Sequence, residues 1–219
     1  MPRLSLPIRL AERLARDRAE ALSLVPVSRE TAERLDVYVD LLGRWRHTVN
    51  LVGEASLASV WTRHIADSAQ ILPLVPGATR WVDMGSGAGF PGLVIAIALV
   101  DVAGARVHCI ESDRRKCAFL REAARLTRAA AVVHAARVEA VAVPDLGPVD
   151  AVTARAFAPL PATLELARVW LDSGAVGAFP RGRSARWQLE AYPHAQIYSV
   201  EVVPSVVDKE AAILLIRRR

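Results

Sequence analysis

From Arg80 onward, short apolar runs alternate with helical segments, and this alternation restricts the fold more than any other feature of the chain. The runs are RWVDMG, ARVHCIES, AVVHAA, VDAVTARA, GAVGAFPRG, QIYSVEVV and AAILLIRR. Helical stretches stand between them at 90–100, 113–128, 137–142, 160–171 and 184–190. Strands that alternate with helices pair in parallel and are covered on both faces. The last two runs have no helix between them and read as an antiparallel pair closing one edge. The expectation is an α/β fold with a mostly parallel seven-stranded sheet.

The chain before Arg80 reads as helix. Ile8 to Leu24 is amphipathic, and Ser28 is a suitable N-cap for a second helix ending near His47. Leu35, Tyr38, Val39, Leu42 and Trp45 fall at helical spacing within it, and a third helix is expected from Leu57 to Leu72. The chain is thus expected to form one compact domain, with residues 1–78 a helical segment packed on a core of residues 79–219. The basic N-terminal stretch holds Glu12, Asp17 and Glu20 and lacks an apolar h-region, so it reads as an ordinary helix and not a targeting signal.

Composition narrows the class. With 53% hydrophobic and 23% charged residues, the chain is globular and not disordered. Its longest apolar run, Gly92 to Val100, is about half a membrane span. Cys109 and Cys117 form no C-x-x-C pair and the histidines are scattered. Neither a disulfide framework nor a metal site is therefore expected, and a cytoplasmic location is. The net charge of +5 leans toward an anionic partner, and nearly all the positive charge is arginine.

The first strand runs straight into WVDMGSGAGFPGL, and a helix follows. A strand, a glycine turn and a helix form the first unit of a nucleoside- or dinucleotide-binding fold. Gly87, Gly89 and Gly92 spell G-x-G-x-x-G, a weak pattern alone. Asp83, before the glycines, suits a cationic or amine-bearing ligand such as S-adenosylmethionine better than a pyrophosphate. Glu111 ends the second strand, where an acid can bond both ribose hydroxyls. Either acid could instead cap the helix that follows it. Glu139, after the third strand, would lie near an adenine rim, with Val138 offering a backbone contact; a solvated helix position is the alternative.

These motifs together resemble the RsmG (GidB) methyltransferases. DMGSGAGFPGL resembles their glycine loop, with its distinctive Phe90-Pro91-Gly92. WRHTVNL, RHIADS, ESDRRKCAFL and VTARAFAPL resemble further segments of that family, in the same order. The resemblance runs from Trp45 to the C-terminus; before it, only helical character matches. It implies a class I, Rossmann-like methyltransferase fold with an N-terminal helical extension. It also implies methyl transfer from S-adenosyl-L-methionine to N7 of one guanine in 16S ribosomal RNA, within the small subunit or its precursor. Carried onto this sequence, it places cofactor contacts at Gly85, Phe90, Val138, Glu139 and Arg155. With Asp83, Gly87, Gly89 and Glu111, these are the expected cofactor residues. Arg115-Lys116 and Arg181-Gly182 stand where the family often has lysine-lysine and lysine-glycine, so charge is kept but a lysine-specific contact is not.

N7 of guanine carries an in-plane lone pair and no proton, so its methylation needs alignment and no general base. Arg155 is the expected positioning residue; the alternative is a structural ion pair with Glu139 or Asp150. Phosphate contacts are expected on one helix face, where Arg114, Arg121, Arg125 and Arg128 fall within roughly 60°. Arg63, His64, Arg181 and Arg183 are further candidates for binding RNA. Three other functions compete: a methyltransferase acting on another RNA or on protein, a nicotinamide-dependent oxidoreductase, and a non-catalytic RNA-binding module.

Overall fold

The computed structural model describes residues 8–46, 48–141, 143–182 and 195–219. Helix α1 spans Ile8–Leu24 and α2 spans Arg29–Trp45. Ser28 caps α2, its Oγ accepting the Thr31 N–H at 3.1 Å. Leu35, Tyr38 and Leu42 recur at three- and four-residue intervals and are fully buried, while the opposite face carries the charge.

The expected helix from Leu57 to Leu72 is instead broken. It comprises a turn α3 (Glu54–Leu57), a π-helix (Trp61–Ala66), a turn α4 (Asp67–Ala69) and a 3-10 turn (Leu72–Leu74). Two of its N–H groups find a partner outside the segment. Asp17 of α1 is buried, and its carboxylate accepts the N–H groups of Trp61 (2.7 Å) and Thr62 (3.2 Å). A π-turn is wider than an α-turn and is frequent at functional sites.

The sheet contains β1 (Arg80–Met84), β2 (Arg106–Glu111), β3 (Ala131–Ala135), β4 (Ala151–Thr153), β5 (Val176–Arg181), β6 (Tyr198–Pro204) and β7 (Ala212–Arg218). Its order is β3-β2-β1-β4-β5-β7-β6. The first five strands pair in parallel, and β7 runs antiparallel to both β5 and β6. The connecting helices are α5 (Gly92–Ala98), α6 (Arg114–Thr127), the short α7 (Val143–Leu146) and α8 (Leu160–Asp172). The expected helix at 137–142 is only a 3-10 turn, Val138–Ala140. That expected at 184–190 lies outside the described residues.

Side chains alternate across each strand, so the sheet has two cores. Trp81, Val107 and Cys109 pack with α2, α5 and α6 on one face. Val82, Met84 and Ile110 pack with α8 on the other. Leu35, Tyr38, Trp61 and Ile65 share the first core with Trp81 and Phe119, so the N-terminal helices and the sheet bury one continuous apolar body. The strand order reverses between β1 and β4, and a crevice outside the carboxyl ends of strands forms at such a point.

Candidate functional site

The crevice is a hollow of about 530 Å³, a size suited to a nucleoside. Gly85, Gly87 and Phe90 of the loop after β1 line it, with Glu111 and Ser112 after β2, Val138 and Glu139 after β3, and Arg155 to Phe157 after β4. Of the residues expected at the cofactor, only Asp83 and Gly89 do not line it.

Asp83 is fully buried beneath the loop, which corrects the expectation of direct ligand contact. Its Oδ2 accepts the Gly92 N–H at 3.1 Å, so it acts at the start of α5. Its Oδ1 is buried with no hydrogen-bond partner among the described residues. Burial pushes the carboxyl up to about 6. A methyl group on Gly92 would sit 2.4 Å from that Oδ2, which is why only glycine fits there. Gly89 faces inward, and the Tyr38 hydroxyl of α2 donates to the Ala88 carbonyl beside it, so α2 braces the loop from behind.

Glu111 is nearly buried and directs its carboxylate at the loop. Oε2 accepts the Gly87 N–H at 2.9 Å and Oε1 accepts the Asp113 N–H at 2.7 Å. A carboxylate has about four lone-pair positions, so two remain for the hydroxyls of a ribose. The cap of α6 is Asp113 and not Glu111, since its Oδ1 accepts the N–H of Arg115 (2.8 Å) and Lys116 (3.2 Å). Val138 is buried and Glu139 exposed at the far rim.

Arg155 pairs with neither Glu139 nor Asp150. Asp150 is taken by Arg80 at 2.6 Å. The Arg155 guanidinium instead crosses to the π-helix. Nη1 donates to Asp67 Oδ2 (2.9 Å) and to the Arg63 carbonyl (3.1 Å), and Nη2 lies 2.8 Å from His64 Nδ1. The same guanidinium sits 5.0 Å from the Phe90 ring centroid, and His64 stacks on that ring at 4.8 Å. Arg155, Phe90 and the neighbouring His64 and Asp67, from three separate stretches of the chain, thus form one cluster at the mouth of the hollow. Asp67 was missed from sequence, although RHIADS places it three and four residues from His64 and Arg63, on one helix face.

Burial and the neighbouring Arg155 and Arg63 bring the His64 imidazole down to about 4, so at neutral pH it is uncharged. An expected RNA contact through His64 is therefore one made by a neutral ring and not by a cation. Arg63 is exposed, as are Arg114, Arg121, Arg125 and Arg128 along α6. The acid of that helix, Glu122, is turned away and accepts from the Trp45 indole at 3.0 Å. Arg181 is only partly exposed: it donates to the Ala158 carbonyl (2.9 Å) and to Thr163 Oγ1 (2.8 Å). It therefore ties β5 to the start of α8, and these bonds occupy part of the guanidinium that was expected at RNA. Arg183 lies outside the described residues. Among the described residues no group of three His, Cys, Asp or Glu could hold a metal ion, and no helix is long and apolar enough to cross a membrane.

Residues 31–215 match the family model GidB, described as rRNA small subunit methyltransferase G. A protein of Methylobacterium nodulans named ribosomal RNA small subunit methyltransferase G is 49% identical over 203 residues, covering 92% of this chain and 95% of that protein. One of the same name from Bradyrhizobium diazoefficiens is 47% identical over 176 residues, covering 80% of this chain and 68% of that one. Among solved structures, the fold is similar to a SAM dependent methyltransferase from Aquifex aeolicus, with TM-score 0.57, 16% identity and coverage of 72% and 92%. It is also similar to a ribosomal protein L11 methylase from Lactobacillus delbrueckii subsp. bulgaricus, with TM-score 0.55, 15% identity and coverage of 72% and 79%.

Proposed function

This chain belongs to the rRNA small subunit methyltransferase G (GidB) family, and from that premise we propose that it transfers a methyl group from S-adenosyl-L-methionine to N7 of one guanine in 16S ribosomal RNA. The observation that carries this reading is the hollow at the switch point, where Gly85, Gly87, Phe90, Glu111, Val138, Glu139 and Arg155 converge from four strand ends. Glu111 holds the ribose hydroxyls with its remaining lone pairs, while Val138 and Glu139 meet the adenine. Asp83 acts from beneath the loop, and its negative charge favours a cationic ligand above it.

S-adenosylmethionine held by these residues would supply a methyl on a sulfonium, with the carbon–sulfur bond breaking toward sulfur as N7 takes the methyl and the positive charge passing to the guanine. No proton moves, so the chain needs no general base. Its task is to orient and to exclude water. Arg155 fixes the mouth of the hollow through Asp67, His64 and Phe90. The exposed arginines of α6, together with Arg63, bind phosphates and set register. The RNA is engaged within the small subunit or its precursor, with the target base unstacked.

A nicotinamide dinucleotide fits less well. The Gly92 N–H, at the helix start where a pyrophosphate would bind, is already taken by the Asp83 carboxylate. The test is incubation with labelled S-adenosylmethionine and small subunits from a strain lacking the gene, followed by borohydride–aniline cleavage to map the label. One N7-methylated guanine is expected. Tight nicotinamide dinucleotide binding without S-adenosylmethionine binding would overturn the reading, and label on a ring carbon or ribose would overturn the N7 assignment.

A further inference from the structure

A second hollow, of about 790 Å³, adjoins the first and is bordered by Arg63, Asp67, Arg181 and Gly182. His64, Arg155 and Ala156 line both. A group lodged in the second hollow therefore meets the first where His64, Arg155 and Ala156 stand. A guanidinium has only N–H donors, so the 2.8 Å contact between Arg155 Nη2 and His64 Nδ1 makes Nδ1 the acceptor. The proton of the neutral ring then sits on Nε2. The ring is held by its stack on Phe90, inclined by 23°, and Arg155 is itself held by Asp67. The fold thus fixes both the tautomer and the plane of an otherwise adaptable side chain.

We propose that His64 reads the target base, its Nε2–H donating to O6 of a guanine in the second hollow while N7 faces the first. This rests on the methyltransferase reading above. O6 and N7 are adjacent acceptors on one edge of guanine. A donor that fixes O6 therefore fixes the direction of the N7 lone pair as well. Adenine carries an amino donor in place of O6 and would meet Nε2–H donor to donor. A neutral ring also suits the product, because N7 becomes cationic on methylation and an imidazolium beside it would oppose that charge.

The test pairs a side chain with a single base atom. Small subunits are reconstituted with 16S rRNA carrying either guanine or 2-aminopurine, which lacks O6, at the target position. Wild type is expected to prefer guanine by on the order of tenfold or more in kcat/KM, the loss from one unsatisfied buried donor. His64→Ala should lose more on guanine than on 2-aminopurine, by about that factor, and His64→Gln, which keeps a donor near the Nε2 position, should recover part of the difference. Affinity for rRNA with 7-deazaguanine at the target, which keeps O6 but accepts no methyl, should fall in His64→Ala without any turnover. Equal losses on both bases in both variants, or unchanged 7-deazaguanine affinity, would overturn the assignment to His64 and leave the methyltransferase reading intact. No transfer by wild type to unmodified rRNA would overturn both.

Discussion

Gly85 shows how narrowly single residues define the hollow. It sits at φ +68°, and a methyl group there would lie 2.3 Å from a Phe157 ring carbon. Gly85→Ala should raise the S-adenosylmethionine Kd at least tenfold, since both the backbone and the Phe157 wall must shift. Calorimetry reads this directly, and an unchanged Kd would refute it. Glu111→Ala removes the acceptor of the Gly87 and Asp113 N–H groups as well as the ribose contact. It should weaken cofactor binding tenfold or more and cost about 1–3 kcal/mol of stability; a stability loss with full cofactor affinity would make Glu111 a loop brace alone. The two acids were not equally legible in sequence. Glu111 lines the hollow as its strand-end position implied. Asp83 has the same kind of position, but the close approach of Gly92 covers it, and no local pattern reports which of two strand ends the following helix will bury. Arg155 was legible as an important arginine and its partner was not, because Asp67 reaches it from a segment 88 residues away.

At the level of elements, the unexpected feature is the π-helix that carries Arg63 and His64. Helical periodicity read the segment as one continuous helix, because the apolar spacing near Trp61 and Ile65 is the same in either case. At the break stands the tertiary contact from Asp17, a buried acid of α1 whose partners no local pattern reports. Asp17→Ala strips partners from the Trp61 and Thr62 N–H groups and should destabilise the fold by about 2 kcal/mol. It should also lower kcat more than cofactor affinity, because His64 and Arg63 shift while the glycine loop stays braced by Tyr38; a Tm drop with kcat intact would contradict that link. Helix α6, by contrast, follows its sequence pattern closely, since its apolar stripe is buried against the sheet and its arginine stripe is exposed. Arg121→Ala combined with Arg125→Ala should lower rRNA affinity and reduce the slope of its salt dependence by up to about two, with cofactor affinity unchanged. An unchanged salt slope would remove α6 from the RNA surface.

At the scale of the whole molecule, the three histidines among the described residues stand where charge is unwelcome, and this gives its stability a direction with pH. His108 is buried, with Nδ1 2.9 Å from His134 Nε2 across β2 and β3. Burial, with His134 beside it, brings His108 down to about 4; burial also lowers His134, and His64 stands at about 4. In the unfolded chain these rings protonate near 6.5. Between about 6.5 and 4 the unfolded state therefore binds more protons than the native state, and stability is lost as the pH falls through that window. His108 and His134 act in the same direction, so their contributions to this loss add. Asp83 works in the opposite sense. Its native carboxyl protonates near 6, above its unfolded value of 3.8, so acidification relieves a buried charge and offsets part of the loss. Several histidines outweigh one aspartate, and urea unfolding should show stability falling steadily from pH 7 to pH 4.5. Replacing His108 and His134 together by valine should flatten that profile, because it removes two of the groups that titrate in that window. A profile equally steep in the double variant would place the acid sensitivity elsewhere. A profile flat in wild type would mean that the folded rings protonate near their ordinary value.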